Sequence, residues 1–176
     1  MRTARGVTER YQTGMWRPAT EGDDDVVVEL CLRLYGEDPG PLPADGRAMR
    51  ETLARLRHEP WRGRPVVLDV GQQVLGYALL IAYWSNEFGG EVCAVDELYV
   101  TRALRGRGLG AALFEALERG DLWPTPFVAI ALGVTPGNAR ARRLYERLGF
   151  AAVGLSMLKR FARSTPSSSA SRRSRG

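Results

Sequence analysis

The chain has 176 residues, 44% hydrophobic and 26% charged, with a formal net charge of +5. That suits one compact domain with its own core and excludes a large multidomain machine. No stretch reaches the roughly 18–20 apolar residues of a membrane span. The polar opening Met1–Gly14 has no apolar signal-peptide core, so a cytoplasmic protein is the expectation. Two distant cysteines, Cys31 and Cys93, and a single histidine, His58, give no metal-ligand or catalytic-triad spacing, so no metal is expected. The positive charge is concentrated at the ends. Residues 1–17 carry +3 and residues 160–176 carry +5, which leaves −3 on residues 18–159. The body is therefore mildly acidic, and its basic ends lack aromatic interleaving, which argues against a nucleic-acid partner.

In chain order, residues 1–13 read as a flexible segment and Gly14–Ala19 as a short edge strand. Asp23–Asp25 form an acidic cap before a helix over Val26–Tyr35, where Val26, Val27, Leu30 and Leu34 fall at helical spacing. Gly36–Pro43 is a Pro/Gly loop. Asp45–His58 is a second helix, with Met49, Leu53 and Leu56 on one face. Pro65–Val70 and Val74–Trp84 read as strands around Gly71-Gln72-Gln73. Val92–Val100 is a third long strand after the turn Asn86–Gly90. Leu109–Arg119 is a helix and Phe127–Val134 an almost wholly apolar strand, expected to be covered on both sides. A strand, helix and strand in this order imply a right-handed parallel crossover. Asn138–Leu148 is a helix with Asn138 as N-cap and Gly149 at its end. Ala151–Phe161 reads as one or two final strands. The tail over residues 163–176, rich in Ser and Arg, has no apolar residue larger than alanine and is expected to be disordered.

The chemistry-bearing segment is Val95–Ala111, in which a strand runs through Gly106, Gly108 and Gly110 into a helix. Glycines let the backbone approach an anion, and the N–H groups of a helix N-terminus cradle it. Arg105 and Arg107 add positive charge, so the site suits a pyrophosphate. The Gly-Lys-Ser/Thr of a P-loop is absent. The glycines alternate, and no acid follows about 20 residues later, which removes a dinucleotide fingerprint.

Arg105-Gly106-Arg107-Gly108-Leu109-Gly110 resembles the Arg/Gln-x-x-Gly-x-Gly/Ala signature of the Gcn5-related N-acetyltransferase (GNAT) family. Asn138 through Phe150 resembles that family's second block, Asn-x-x-Ala-x-x-Leu/Phe-Tyr-x-x-x-Gly-Phe, and Leu98-Tyr99-Val100 its strand before the loop. The resemblance covers residues 14–162. It implies a mixed α/β (α+β) fold: a mostly antiparallel sheet of about six to seven strands, flanked by about four helices, with two splayed parallel strands where acetyl-CoA binds. It implies cofactor contacts from Leu98, Tyr99 and Val100, from Arg105, Gly106, Arg107, Gly108, Leu109, Gly110 and Ala111, and from Asn138. Arg142 or Arg143 is a further phosphate contact or a solvated helix charge. The reaction implied is acetyl transfer to a primary amine, directly in a ternary complex. The acceptor expected is a small molecule (a polyamine, an aminoglycoside or an amino-acid-like amine). A protein or peptide acetyltransferase and a non-catalytic CoA-binding regulator are the alternatives. Family members often dimerise, and the sequence specifies no interface.

A lysine-like amine has a pKa of about 10.4, so its neutral form costs about 4.6 kcal/mol at pH 7. A positioned base and acid offset part of that barrier. Tyr145, the tyrosine of the second block, shares a helix face with Ala141, Leu144 and Leu148 and is the expected acid. Adjacent strand residues point to opposite faces, so one of Glu97 and Asp96 faces the substrate. Glu97, acting through a water, is the first choice for base, and Asp96 is the second choice and a substrate contact. Glu87, Glu91 and Trp84, with Tyr83, could receive a cationic amine, against an ordinary hairpin reading. Cys93 reads as core.

Overall fold

The computed structural model describes residues 14–154 and 157–159. Five strands form one sheet in sequence order: β1 (Met15–Pro18), β2 (Gly63–Val70), β3 (Gln73–Ser85), β4 (Gly90–Val100) and β5 (Ala129–Leu132). The pairs β1–β2, β2–β3 and β3–β4 are antiparallel, and β4–β5 is parallel. Among the described residues, four helices flank the sheet: α1 (Asp24–Glu37), α2 (Gly46–His58), α3 (Leu109–Glu118) and α4 (Ala139–Arg147). The mixed, mostly antiparallel architecture agrees with the sequence.

The strand count does not: five strands are present among the described residues, against the expected six to seven. Residues 151–154 and 157–159 are not in strand, and Gly154 has a φ of +117°. The rest of the Ala151–Phe161 expectation, the opening segment 1–13 and the 163–176 tail lie outside the described residues. β5 is also shorter than the apolar run Phe127–Val134, with ladder pairing confined to Ala129–Leu132.

Each face of the sheet has its own core. α1 and α2 cover one face, where Val27, Leu30, Leu53 and Leu56 pack on Val67, Tyr77, Leu79 and Tyr99. α3 covers the other, where Leu109, Leu113, Phe114 and Leu117 pack on Val66, Leu68, Leu80, Cys93 and Val95. Alternation along β2 and β3 supplies both faces. The sequence turn Gly71-Gln72 closes β2–β3 with positive φ at both residues, and Asp69 Oδ1 accepts from Gln72 N (2.9 Å). The acidic cap before α1 has a tertiary partner. Asp23 accepts from the two terminal guanidinium nitrogens, Nη1 and Nη2, of Arg17 on β1 (2.9 and 3.0 Å) and from Thr20 N (2.7 Å). On the other face of β1, Trp16 Nε1 donates to the Leu109 carbonyl (2.8 Å) and pins the start of α3 to β1.

One irregularity positions the site. On β4, Val95 pairs with Leu80 and Glu97 with Leu79, so Asp96 is an extra residue without a partner on β3. The bulge shifts the alternation by one. Cys93 and Val95 face α3 below it, whereas Leu98 and Val100 do so above it. The parallel ladder with β5 ends at the same level, at Val95 opposite Leu132. Above that point the two strands share no main-chain pairing.

Candidate active site

The gap above the bulge opens into a cleft of about 670 Å³. One wall is Leu98, Tyr99 and Val100 with the loop that follows, through Arg105, Gly106, Gly108, Leu109, Gly110 and Ala111. The opposite wall is α4, through Asn138, Ala141, Leu144 and Tyr145, and the end of α1 closes one side through Leu34, Glu37 and Asp38. Eleven of the residues singled out from the sequence thus line one cleft, although 47 positions of chain separate Leu98 from Tyr145.

Gly106 and Gly108 have φ of +80° and +78°, which L-residues with side chains rarely adopt, and open space lies where a Cβ would stand. Gly108 caps α3, whose first intrahelical bond recorded across the cap is Ala112 N to the Gly108 carbonyl (3.0 Å). The N–H groups of the first turn therefore have no carbonyl four residues back and point toward an anion. Along Leu98–Val100, alternate main-chain groups face away from β3, where β5 no longer pairs with them. An amide-bearing arm with a diphosphate end fits this donor set: extended backbone for the arm, a glycine and helix N-terminus cradle for the phosphates.

Arg105 and Asn138 have protein partners here. Arg105 donates through Nε to the Val100 carbonyl (2.8 Å) and through Nη1 to Glu37 Oε2 (2.7 Å), with its guanidinium 5.2 Å from the centre of the Tyr99 ring. Asn138 accepts from Ala141 N through Oδ1 (3.0 Å) and donates from Nδ2 to Asp38 Oδ2 (2.6 Å). The backbone of the loop, rather than the Arg105 side chain, is thus the part of the cradle left open.

Tyr145 sits with its ring edge-on to Phe114 and Phe150, at centroid distances of 5.9 and 5.8 Å. Among the described residues its hydroxyl has no hydrogen-bond partner. Burial, and then the Asp38 carboxylate, push its pKa above the ordinary tyrosine value, so it is protonated at neutral pH.

Glu97 lies outside the cleft lining. It faces α1, where Oε1 accepts from Tyr35 OH (2.8 Å) and Oε2 from Tyr77 OH (2.7 Å). Burial raises its pKa, while the two tyrosine hydroxyls pull it back. Asp96, the bulge residue, is exposed, and desolvation by the surrounding protein raises its carboxyl. Trp84, 72% exposed, and Glu87 lie at the β3–β4 hairpin. Trp84 pairs with Glu91, seven residues or about 23 Å of strand from Leu98. The structure does not bring Trp84 or Glu87 to the cleft. Cys93 is fully buried, and burial pushes its thiol up to about 12, which suits a core residue.

Sequence reasoning missed Glu37, Asp38 and Tyr35. Glu37 Oε1 accepts from Tyr99 OH (2.8 Å), and Asp38 Oδ1 from Thr135 Oγ1 (2.7 Å). No local signal marks them, since their partners lie 62 to 100 positions away in the chain.

The profile of the acetyltransferase (GNAT) family matches residues 30–150, which include both walls of the cleft. The aminoglycoside N(6′)-acetyltransferase type 1 of Klebsiella pneumoniae is 27% identical over 160 residues, covering 84% of this chain and 79% of that protein. The protein of the same name from Serratia marcescens matches to the same extent. Among solved structures, a possible acetyltransferase from Clostridium difficile 630 superposes with a TM-score of 0.71 at 21% identity, covering 86% of this chain and 99% of that one. An aminoglycoside N-acetyltransferase in complex with CoA superposes with a TM-score of 0.65 at 17% identity, covering 85% and 95%. At these identities the structural likeness speaks for the fold, while the sequence match over residues 30–150 speaks for descent. The chain belongs to the GNAT family of acetyltransferases and is an acyltransferase.

Proposed function

We propose that the protein is an acetyl-CoA-dependent N-acetyltransferase that modifies a primary amine of a small molecule, by direct transfer within a ternary complex. The observation that carries this is the single cleft that unites the glycine cradle, the unpaired face of Leu98–Val100 and Tyr145. The GNAT family uses acetyl-CoA, and the acetyltransferases similar to this chain act, as their name states, on aminoglycosides. Bound acetyl-CoA supplies the activated acetyl group.

The protein's residues supply the rest. The amides at Gly106–Ala111 bind the diphosphate, with the α3 dipole favouring its charge. Main-chain groups of Leu98–Val100 orient the arm, and one amide polarises the thioester carbonyl. Tyr145, protonated at neutral pH, donates a proton to the departing sulfur. Glu97 faces the α1 side of the sheet, between the Tyr35 and Tyr77 hydroxyls, and is the residue proposed as base. Each of its oxygens accepts one tyrosine hydroxyl and keeps a second lone pair for a water that relays the amine proton. Asp96, exposed at the bulge, adds negative charge where a cationic amine arrives.

Thiol release from acetyl-CoA, followed across polyamines, aminoglycosides, amino acids and peptides, tests the reading. Turnover with small polyamines or aminoglycosides above that with peptides supports it. Turnover with peptides alone overturns the small-molecule part, and no turnover with any amine overturns the enzymatic part.

A further inference from the structure

Two consecutive acids at the end of α1 touch opposite walls of the cleft. Glu37 reaches the β4 wall, accepting from Tyr99 OH (2.8 Å) and Arg105 Nη1 (2.7 Å), with Arg102 Nε also at 3.2 Å. Asp38 reaches the β5–α4 wall, accepting from Thr135 Oγ1 (2.7 Å) and Asn138 Nδ2 (2.6 Å). These bonds lie above the last ladder pair, Val95 with Leu132. Tyr99 is four residues beyond that pair on β4, and Thr135 is three residues past the end of β5. At this height no main-chain bond joins the walls, so side chains of α1 take over the role of the ladder.

We propose that Glu37 and Asp38 form a clasp that sets the width of the cofactor cleft, and are positioning residues for acetyl transfer. This role for the clasp rests on the cleft holding CoA, as proposed above. The chemistry suits the task. A carboxylate only accepts hydrogen bonds, so Asp38 forces the Asn138 amide to present Nδ2 to it and Oδ1 to Ala141 N. That fixes the N-cap of α4, the helix that carries Tyr145. Glu37 holds Arg105 against the Val100 carbonyl and over the Tyr99 ring, which fixes the entry to the glycine cradle. Because the two acids are adjacent, a shift in one wall is passed to the other through a single peptide unit. The Arg105 partnership holds the Glu37 carboxyl down at about 2, so this half of the clasp stays ionised across the physiological range.

The test uses Asp38→Ala, Asp38→Asn, Thr135→Val and the Asp38→Ala/Thr135→Val double variant of the full chain. Two readouts are needed: amide hydrogen exchange of the ligand-free protein at the first turn of α4, and acetyl-CoA affinity by calorimetry. The clasp predicts faster exchange at residues 139–142 in Asp38→Ala and an acetyl-CoA affinity weakened about tenfold, as for loss of a charged hydrogen bond. Asp38→Asn, which keeps the shape and one acceptor, falls between wild type and Asp38→Ala. The double variant is no worse than Asp38→Ala, because the contact that Thr135→Val breaks is already lost in Asp38→Ala. The KM for acetyl-CoA rises more than kcat falls. Unchanged exchange overturns the clasp, as do additive effects or faster exchange with unchanged acetyl-CoA affinity. A wild-type protein that binds no acetyl-CoA removes the functional reading, and the exchange comparison still decides whether Asp38 holds α4.

Discussion

The lower and upper halves of β4 differ in what holds them beside β5. From Val92 to Val95 the strands are joined by a regular parallel ladder, and the side chains facing α3 are fully or almost fully buried. From Asp96 to Val100 the ladder is gone, and polar side chains from α1 span the opening instead. The lower half behaves as core: densely packed, apolar and costly to alter. The upper half has main-chain groups free for a ligand and depends on hydrogen bonds between residues far apart in sequence. One extra residue, Asp96, marks the change between the two regimes.

The sharpest way to break the comparison is in the lower half. Leu80 is fully buried opposite Val95, and Leu80→Ala is expected to cost about 2–5 kcal/mol of stability. In thermal unfolding the midpoint drops markedly, while acetyl-CoA affinity of the folded fraction holds. A large loss of affinity per folded molecule would show that the two halves are not separable.

Tyr145→Phe should do the opposite. The phenyl ring keeps its contacts with Phe114 and Phe150, so stability holds, while kcat falls by about 10²-fold. Steady-state kinetics with calorimetry checks this, and an unchanged kcat removes Tyr145 as the acid. Next in size is the cradle. Gly108→Val forces a branched residue to φ +78°, a strain of about 1–2 kcal/mol, and places a side chain where the phosphates bind. Acetyl-CoA affinity is expected to fall at least tenfold, with a smaller change in thermal midpoint.

The smallest effect is the response of the clasp to acid. The folded pKa of Glu37 lies at about 2, below its ordinary value near 4.5, so its contribution is present above pH 4.5 and lost as pH falls toward 2. Over that window, amide exchange around Tyr99 and Arg105 should gain more than exchange in Val92–Val95, after correction for the intrinsic pH dependence. Glu37→Gln should remove the difference and change stability by less than about 1 kcal/mol, since its ion pairs are partly solvated. Equal responses of the two halves would contradict the division.

The order of helices and strands was legible because each carries its own periodicity. Met49, Leu53 and Leu56 repeat at helical spacing, and Gly71-Gln72 breaks two β-runs at a tight turn. The glycine loop was legible because its requirement for positive φ is local. The described part of the expected final strands, residues 151–154 and 157–159, is not in strand, and an apolar run such as Ala-Ala-Val does not show that Gly154 takes a positive φ. Trp84 and Glu87 looked close to the chemistry in sequence, yet strand geometry carries them to the far end of β4. Glu37 and Asp38 were invisible for the reverse reason. Two acids at the polar end of an amphipathic helix look like solvated charge until the fold sets Tyr99, Arg105, Thr135 and Asn138 around them.

The central claim is that the upper half of β4 and the glycine loop bind acetyl-CoA. Calorimetric titration of acetyl-CoA into the wild-type protein and into Gly108→Val tests it most directly. The account predicts saturable binding at one site per chain in the wild type, weakened at least tenfold in the variant. Absence of binding in the wild type, or equal binding in both, would contradict it.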